Sequence, residues 1–362
     1  MKIKLLTIFG IAIMLSLNAC KKGDDPVPTP PPVIPPVVIP PTITIPKPPT
    51  RTAWVPGTFK IVAYMPGYRD PSTVSDSKYK MITHLFFAFL QINPTADGSV
   101  LPLTATETSR FNMLKQKAKD NNVKFGISVM GAESIFATVA KNPTTRANFV
   151  ANLVNFAKNN GLDGLDMDWE YPRTINGGPN TEYTALMREL STELRKSNMF
   201  LSAAITPAVY ASTNKDAIEP AAYEFVDFFN IMQYDGAGYD AAEPLNHASL
   251  KMTEASLNVW LTNKGMPKEK AILGMPLYGK DGSSPVKSIG YRDIEASGAN
   301  VYLNTAAVSG STYGFNGIEL IWKKTQLAKE RCNGIMFWEF SHDSNTANSL
   351  IKAANDQLGR TY

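Results

Sequence analysis

Short apolar segments rich in β-branched and aromatic residues alternate with longer amphipathic segments through most of the chain. The eight apolar segments span residues 61–65, 84–92, 123–130, 162–169, 200–206, 226–234, 271–277 and 334–340. Most are apolar almost without interruption, which is typical of parallel strands covered on both faces. The clearest helical periodicity falls between them, at residues 144–160, 181–197, 250–263 and 318–332. The pattern predicts an α/β fold.

The spacing of these segments narrows the fold further. Eight strands alternating with helices over about 300 residues fit a (β/α)8 barrel, the TIM barrel. Gly161 directly follows one helical segment, where a glycine commonly ends a helix. The main alternative is an open, doubly wound sheet. We expect the barrel.

The first 20 residues have the pattern of a secretion signal. Lys2 and Lys4 precede a short apolar run over residues 5–17, and Ala19 lies directly before Cys20. This arrangement resembles a bacterial lipoprotein signal, in which Cys20 becomes the acylated first residue of the mature chain. The alternatives are a plain secretory signal or a membrane helix, although a spanning helix needs about 20 apolar residues. We expect residues 1–19 to be removed and the protein to be anchored by lipid in the bacterial cell envelope, at the outer membrane or cell surface.

A proline-rich segment follows this signal. Residues 26–49 contain 12 of the chain's 26 prolines and a single charged residue, Lys47. Because proline fixes φ and donates no backbone hydrogen bond, the segment favours an extended polyproline II spacer of about 3.1 Å per residue. A proline-rich ligand for another protein is the alternative. We therefore expect a lipidated terminus and linker over residues 20–53 and a folded domain over residues 54–362.

Charge and metal-binding residues exclude several functions. The formal net charge is only +4 and no basic tract is present, so we expect no nucleic-acid partner. With three histidines and two cysteines, the chain lacks the residues for an all-protein zinc cluster. If Cys20 carries lipid, Cys332 has no disulfide partner. We expect no metal and no cofactor.

Three acids occupy alternate positions in the fourth predicted strand. Residues 162–172 read LDGLDMDWEYP, in which Asp166, Asp168 and Glu170 share one face at steps of about 6.5 Å. Asp163 is out of phase, so we expect it to have a structural role at the start of the strand. Pro172 is expected to end the strand.

Carboxylates in one row of a barrel interior repel one another. In a poorly solvated site they cannot all ionise, so a proton is shared and at least one pKa is raised. Glu170 is the last of the row, at the end of the strand where barrel active sites open, and is therefore the candidate general acid. The alternatives are a solvated structural edge or a magnesium or calcium site.

The acid row resembles a known signature. DGLDMDWEYP is similar to the D-x-x-D-x-D-x-E motif of family 18 glycoside hydrolases, the chitinase family. The resemblance extends over about residues 60–342 and includes four further motifs, IVAY at 61–64, MQYD at 232–235, GMPLYG at 274–279 and GIMFWE at 334–339.

This resemblance implies substrate-assisted catalysis with retention, in which the sugar's own 2-acetamido oxygen attacks the anomeric carbon. Glu170 would protonate the glycosidic oxygen and later activate water. Asp168 would turn between Asp166 and Glu170 and hold the acetamido N–H. Tyr234 would donate to the acetamido oxygen, and Asp235 would bind the sugar.

The remaining predicted site residues surround these groups. Trp338 would form the apolar floor under the sugar, since a ring's axial hydrogens pack on an aromatic face. Met232 shares the strand phase of Tyr234 and is expected in the same pocket. Core packing is the alternative for Trp338 and Tyr234, and for Tyr278 it is as probable as a place in the cleft. Support for Asp166 by hydrogen bonds is expected from Tyr64 and Ser128.

Two departures from the family pattern affect the expected cleft. The family commonly has Ser-x-Gly-Gly on strand three, whereas Met130 replaces the first of these glycines. Only 54 residues separate Gly279 from Gly334, where many members carry an α+β domain. We expect a glycine- and serine-rich loop over 281–288 and a helix there, without a full-size insertion, and hence an open cleft suited to endo-acting cleavage.

The predicted activity is hydrolysis of β-1,4-linked N-acetylglucosamine polymers or oligosaccharides. An endo-β-N-acetylglucosaminidase acting on N-glycans, or an enzyme acting on peptidoglycan, would use the same catalytic logic. A non-catalytic chitin-binding lectin is a further alternative, although such relatives typically lack the acid that is present here as Glu170.

Overall fold

The computed structural model describes residues 59–362. The expected signal peptide, Cys20 and the proline-rich linker lie outside the described residues. Eight parallel strands close into a barrel in the order β1-β2-β3-β4-β5-β6-β7-β12, with β12 returning to β1. They are β1 (Lys60–Pro66), β2 (His84–Gln91), β3 (Lys124–Met130), β4 (Gly164–Asp168), β5 (Phe200–Ile205), β6 (Phe228–Ile231), β7 (Ala271–Pro276) and β12 (Gly334–Trp338).

Closure of the sheet confirms the predicted barrel and rules out the open, doubly wound alternative. Each of the eight predicted apolar segments overlaps one barrel strand. Neighbouring strands are in parallel register, so that Asp166 of β4 lies opposite Ser128 of β3 and Ser202 of β5. This register brings polar residues from three strands to one level of the barrel interior.

Ten α-helices occur in the described part of the chain. They are α1 (Asp76–Tyr79), α2 (Ala105–Asp120), α3 (Glu133–Lys141), α4 (Pro143–Asn159), α5 (Thr181–Arg195), α6 (Asn214–Ala217), α7 (Leu250–Leu257), α8 (Tyr291–Ala296), α9 (Ile318–Arg331) and α10 (Leu350–Leu358). The helix predicted over 250–263 continues beyond α7 as a π-helix, Asn258–Asn263. Gly161 has φ 60°, as a glycine that follows a helix end requires. Within residues 59–362 no helix has the length and apolar character needed to cross a membrane.

The segment between β7 and β12 differs from the sequence prediction. Instead of a loop and one helix, it contains four short antiparallel strands as well as α8 and α9, and the strands pair in the order β10-β11-β8-β9. They are β8 (Tyr278–Asp281), β9 (Ser288–Gly290), β10 (Thr305–Val308) and β11 (Ser311–Gly314). The predicted loop is the connection between β8 and β9. Strands of three or four residues are too short to produce a recognisable alternation, which is why this compact insertion was missed.

Aromatic rings fill the amino-terminal end of the barrel. Phe86, Phe200 and Phe228 pack edge-on or tilted against one another with centroids 5.5–6.5 Å apart. His84 packs against two of these rings, and burial lowers its pKa to about 3, so it is neutral. Because this end is closed by apolar side chains, a ligand can reach the polar interior only from the carboxyl end.

Candidate active site

The three acids lie at different depths along β4. Asp166 is 0% exposed and Asp168 is 4% exposed, whereas Glu170 is an exposed residue. The strand ends at Asp168, so the expectation that it continues to Pro172 was wrong. Glu170 is therefore carried by the backbone that leaves the barrel. The row runs from the sealed interior to the mouth of the barrel.

Asp166 accepts hydrogen bonds from four other strands. Its Oδ2 accepts from Tyr64 at 2.9 Å and Ser128 at 2.7 Å. Its Oδ1 accepts from Ser202 at 2.6 Å and Asn230 at 3.2 Å. Burial raises the pKa of Asp166, while the four hydrogen bonds act in the opposite direction by favouring the carboxylate. The ring of donors thus stabilises a negative charge at the base of the site.

Asp168 and Glu170 form a coupled pair of carboxyls. Burial, followed by the negative charges of Glu170 and Asp166, raises the pKa of Asp168 well above its usual range. Although the residue as a whole is exposed, the protein around the carboxyl group of Glu170 desolvates it and raises its pKa, and this group accepts a hydrogen bond from Asp168. The pair therefore retains a shared proton under conditions in which isolated carboxyls are ionised. The sequence placed this proton on Glu170, but in the ligand-free molecule deeper burial favours Asp168.

Glu170 faces the opening of the barrel. The Tyr171 hydroxyl also donates to its carboxyl group, and this bond acts to lower the pKa of Glu170. Within residues 59–362 no lysine, arginine or histidine forms an ion pair with Glu170. The carboxyl group of Glu170 is thus held by the carboxyl group of Asp168 and the phenol of Tyr171. Neither partner is a cation that would fix Glu170 in its ionised form.

A cleft with an empty volume of about 660 Å³ opens above the acid row. Seven predicted site residues line it beside Asp168: Tyr64, Glu170, Met232, Tyr234, Asp235, Tyr278 and Trp338. The other lining residues are Phe89, Met130, Tyr171, Ala204 and Met336. Asp166 and Ser128 do not line the cleft and lie behind Asp168 in the barrel. The size and mixed polarity of the cleft suit a sugar residue.

Aromatic side chains form one wall of this cleft. Trp338, at the end of β12, stacks on Phe89 with ring centroids 5.7 Å apart and an interplanar angle of 24°. The ring centroid of Trp338 also lies 5.7 Å from that of Tyr64. These neighbours fix the indole plane, so the cleft has a preformed apolar face against which a sugar ring can pack.

Asp235 is tied to the insertion and to a buried histidine. Its carboxylate accepts from Tyr278 at 2.5 Å, pairs with Lys280 at 2.7 Å and lies 3.4 Å from His247 Nδ1. Burial alone would raise the pKa of Asp235, but its contacts with His247, Lys280 and Tyr278 outweigh this effect, so the pKa is lowered. Asp235 is therefore a carboxylate fixed at the rim, available to accept from sugar hydroxyls.

Tyr234 and Met232 follow the last residue of β6 and point into the same cleft. Burial, together with the charges of Glu170 and Asp168, raises the pKa of Tyr234 well above its usual range. The phenol is therefore a proton donor under all ordinary conditions.

Met130 lines the cleft at the position where the family 18 pattern commonly has glycine, and it is in register with Asp168. Its side chain takes up space beside the acid pair.

Comparisons with known proteins agree with this geometry. The family model for glycosyl hydrolases family 18 matches residues 60–343. The chain belongs to this family. Chitinase 1 of Aphanocladium album is 27% identical over 77% of this chain and 79% of that protein. The class V chitinase of Arabidopsis thaliana is 27% identical over 82% of this chain and 89% of that protein.

Solved structures of other proteins share the fold. The GH18 chitinase ChiB from the chitin utilization locus of Flavobacterium johnsoniae superimposes with a TM-score of 0.69 at 23% identity, over 83% of this chain and 94% of that chain. The chitinase-like agglutinin of Robinia pseudoacacia superimposes with a TM-score of 0.70 at 23% identity, over 82% and 99%. At this identity the likeness shows the fold alone.

Two side chains of this family 18 site were not found from the sequence. Ser202 and Asn230 donate to Asp166 from β5 and β6, and Asn230 also donates to the Tyr64 hydroxyl at 2.7 Å. Both are single polar residues in apolar strands, and both are 0% exposed. A polar residue inside an otherwise apolar strand was the available signal, because such groups need a partner when they are buried.

Asp163 lies at the start of β4, far down the row from the cleft. Its Oδ1 accepts from Lys124 at 2.8 Å, and its Oδ2 accepts from the backbone N–H of Phe125 at 2.9 Å. These bonds join the beginnings of β3 and β4.

Within residues 59–362, no group of three or more histidine, cysteine or acidic residues is arranged to hold a metal ion.

Proposed function

We propose that this protein hydrolyses β-1,4-linked N-acetylglucosamine polymers or oligosaccharides, with retention and with the substrate's acetamido group as nucleophile. The observation that carries the proposal is the coupled pair Asp168 and Glu170 at the base of a cleft with an aromatic wall. Glu170, at the mouth of the barrel, is placed to act as the acid. Asp168 is 4% exposed and lies deeper beside it, where its carboxylate can hold the acetamido N–H and leave the nucleophile to the substrate.

The geometry supports the following sequence of steps. As the sugar binds, the shared proton passes from Asp168 to Glu170, and Asp168 then accepts the acetamido N–H. Glu170 donates the proton to the glycosidic oxygen while the acetamido oxygen bonds to the anomeric carbon, giving a positively charged oxazolinium ion. Glu170 then takes a proton from the water that opens this ring, and the β configuration is restored.

Tyr234 and Asp235 suit the binding of this substrate. Residues 59–362 contribute no hydrogen-bond partner to the Tyr234 hydroxyl, so it is available to donate to the acetamido oxygen. Asp235 presents a carboxylate at the rim for sugar hydroxyls. A hydrogen bond that strengthens as the acetamido oxygen attacks would stabilise the transition state more than the bound substrate.

The relatives' names include both enzymes and an agglutinin, so a lectin is the alternative to exclude. The exposed position of Glu170, which forms no ion pair with a basic residue in residues 59–362, favours the enzyme. The test is hydrolysis of a fluorogenic diacetylchitobiose by the wild type and by Glu170→Gln. We expect turnover by the wild type and a loss of about 10³-fold in the variant, with oligosaccharide binding retained.

Other outcomes of this assay would contradict the proposal. An inactive wild type that still binds chitooligosaccharide would indicate a lectin. Release of glycans from a glycoprotein with no turnover of chitin oligosaccharides would indicate an endo-β-N-acetylglucosaminidase, and release of fragments from purified cell-wall sacculi alone would indicate a peptidoglycan substrate. Equal activity of the wild type and Glu170→Gln would remove Glu170 from the mechanism.

We further propose endo-acting cleavage. The insertion between β7 and β12 is a compact sheet of short strands with α8, and it contributes Tyr278 to the cleft. A small insertion leaves room for a polymer to enter from the side of the cleft. Products of several lengths from a chitin hexamer at early times would support this mode, and disaccharide alone would contradict it.

The amino-terminal pattern supports a proposal about location. Cys20, directly after Ala19 and an apolar run, fits acylation, and residues 26–49 fit an extended spacer of about 75 Å. We propose that the enzyme is anchored in the cell envelope by this lipid, with its catalytic domain held away from the membrane. Such a spacer would let an anchored enzyme reach an insoluble polymer.

A further inference from the structure

Lys324 of α9 is 0% exposed and lies outside the catalytic groups described above. In the described part of the chain no carboxylate lies within ion-pair distance of its amine. The contrast is Lys78, which is 2% exposed and is paired with Asp343 at 2.6 Å. Removing an ammonium from water without a counter-ion is unfavourable, so its hydrogen bonds must offset that cost.

The surroundings of this amine match an ammonium group. Nζ donates to Gln233 Oε1 at 3.0 Å, to Asn316 Oδ1 at 2.7 Å and to the carbonyl of Ala248. Three acceptors use all three N–H groups of an ammonium, whereas a neutral amine has only two. Burial lowers the pKa of Lys324, and the charge of Glu243 acts weakly in the opposite direction. The geometry, with three neutral acceptors, favours the charged form.

The first acceptor anchors the backbone beside Tyr234. Gln233 lies beyond the last residue of β6, Ile231, and its backbone N–H donates to Ile231 of the same strand at 2.8 Å rather than to a neighbouring strand. Its Oε1 accepts from Thr253 at 2.7 Å as well as from Lys324. The side chain of Gln233 therefore ties the peptide leading to Tyr234 to α7 and α9.

The Ala248 carbonyl, another of the three acceptors, anchors the backbone behind Asp235. Ala248 directly follows His247, whose Nδ1 accepts from the backbone N–H of Asp235 at 3.0 Å and whose Nε2 donates to the carbonyl of Tyr278 at 3.1 Å. Asp235 has φ 65°, a left-handed conformation that a non-glycine residue keeps only when its surroundings hold it. The position of the Ala248 carbonyl thus sets the position of the neighbouring His247 imidazole, which holds the backbone of Asp235.

We propose that Lys324 is a positioning residue for the hydrolysis: its amine holds Gln233 and the Ala248 carbonyl, and through them the backbone that carries Tyr234 and Asp235. This inference rests on the function proposed above. The amine contacts neither the substrate nor the acid pair. Its removal should displace the acetamido-binding phenol, and displacements of about 1 Å can cost about 100-fold in turnover.

The test is Lys324→Met, which keeps the length of the side chain and removes its three donors. We expect kcat per folded molecule on a fluorogenic chitooligosaccharide to fall about 30-fold, with KM changed less than about threefold. The matched control is Lys78→Met, at a second buried lysine that does not line the cleft. It should lower the melting temperature and leave kcat per folded molecule unchanged.

A double-mutant cycle with Tyr234→Phe separates positioning from general loss of stability. If Lys324 acts through Tyr234, the two losses in kcat will not add, and Tyr234→Phe will cost much less in the Lys324→Met background. Additive losses, or an unchanged kcat for Lys324→Met, would overturn the inference. If that variant does not fold, Asn316→Ala decides by the same criteria. An inactive wild type would instead refute the proposed function itself.

Discussion

Removal of the Ser202 hydroxyl tests the role of the donor ring around Asp166. The Ser202→Ala substitution deletes the shortest of its four hydrogen bonds, at 2.6 Å, between two side chains that are both 0% exposed. A hydrogen bond to a charged group contributes about 1.5–3 kcal/mol. Asn230 remains at 3.2 Å from the same oxygen. We therefore expect the ionised form of Asp166 to lose about 2 kcal/mol of stabilisation.

The direction of the pH dependence follows from the pKa of Asp166. Burial already raises this pKa in the folded protein, and loss of a donor raises it further. A carboxyl with a raised folded pKa binds protons more tightly in the folded than in the unfolded state, so stability falls as pH rises through that range. The defect of Ser202→Ala should be full at neutral pH and should shrink as pH falls towards about 4.

The assays are urea unfolding and turnover of fluorogenic diacetylchitobiose, each across pH. At neutral pH we expect the free energy of unfolding to fall by about 2 kcal/mol and kcat/KM to fall by up to about 30-fold. The acid limb of the rate profile should move to higher pH. The matched control is Ser191→Ala, since Ser191 is 2% exposed and its hydroxyl has no hydrogen-bond partner in residues 59–362. Equal losses in both variants, or a loss independent of pH, would refute the role of the ring.

Three further substitutions test other parts of the site and the anchor. Tyr234→Phe should lower kcat about 100-fold with little change in KM, because the phenol acts on the acetamido oxygen in the transition state; a rise in KM alone, measured by steady-state kinetics, would contradict this role. Asp168→Asn should lose far more turnover than oligosaccharide binding. The same substitution should raise the melting temperature at neutral pH, because the folded-state pKa of Asp168 is raised and its ionised carboxylate destabilises the folded protein at any pH above the unfolded-state pKa. The gain in melting temperature should become smaller as the pH falls towards about 4. A lower melting temperature at neutral pH would show that the charge of Asp168 does not destabilise the fold. Cys20→Ser should move the protein from the detergent-extracted membrane fraction to the soluble fraction of the expressing cells, and retention in the membrane would argue against the lipid.

The barrel could be predicted from the chain because parallel strands leave a strong local signal. Each strand covered on both faces is a nearly continuous apolar run, and the helices between them repeat with their own period. The acid row could also be found, because residues two apart on one strand share a face whatever the rest of the fold. Asp166 and Asp168 therefore followed from spacing alone.

Features that depend on contacts between distant strands were not accessible in this way. Ser202 and Asn230 reach Asp166 only through the register of β4, β5 and β6, which no single segment encodes. The end of β4 at Asp168, rather than Pro172, reflects where pairing with β3 stops. Depth in the barrel likewise decides that Asp168, and not Glu170, holds the proton before substrate binds.

The most direct test of the proposed chemistry is the configuration of the first product. Proton NMR of a chitin oligosaccharide, recorded within minutes of adding enzyme and before the anomers equilibrate, distinguishes the two outcomes. Attack by the acetamido oxygen, with Glu170 first as acid and then as base, requires the new reducing end to appear as the β-anomer. Initial release of the α-anomer would mean direct attack by water and would contradict the shared role of Asp168 and Glu170.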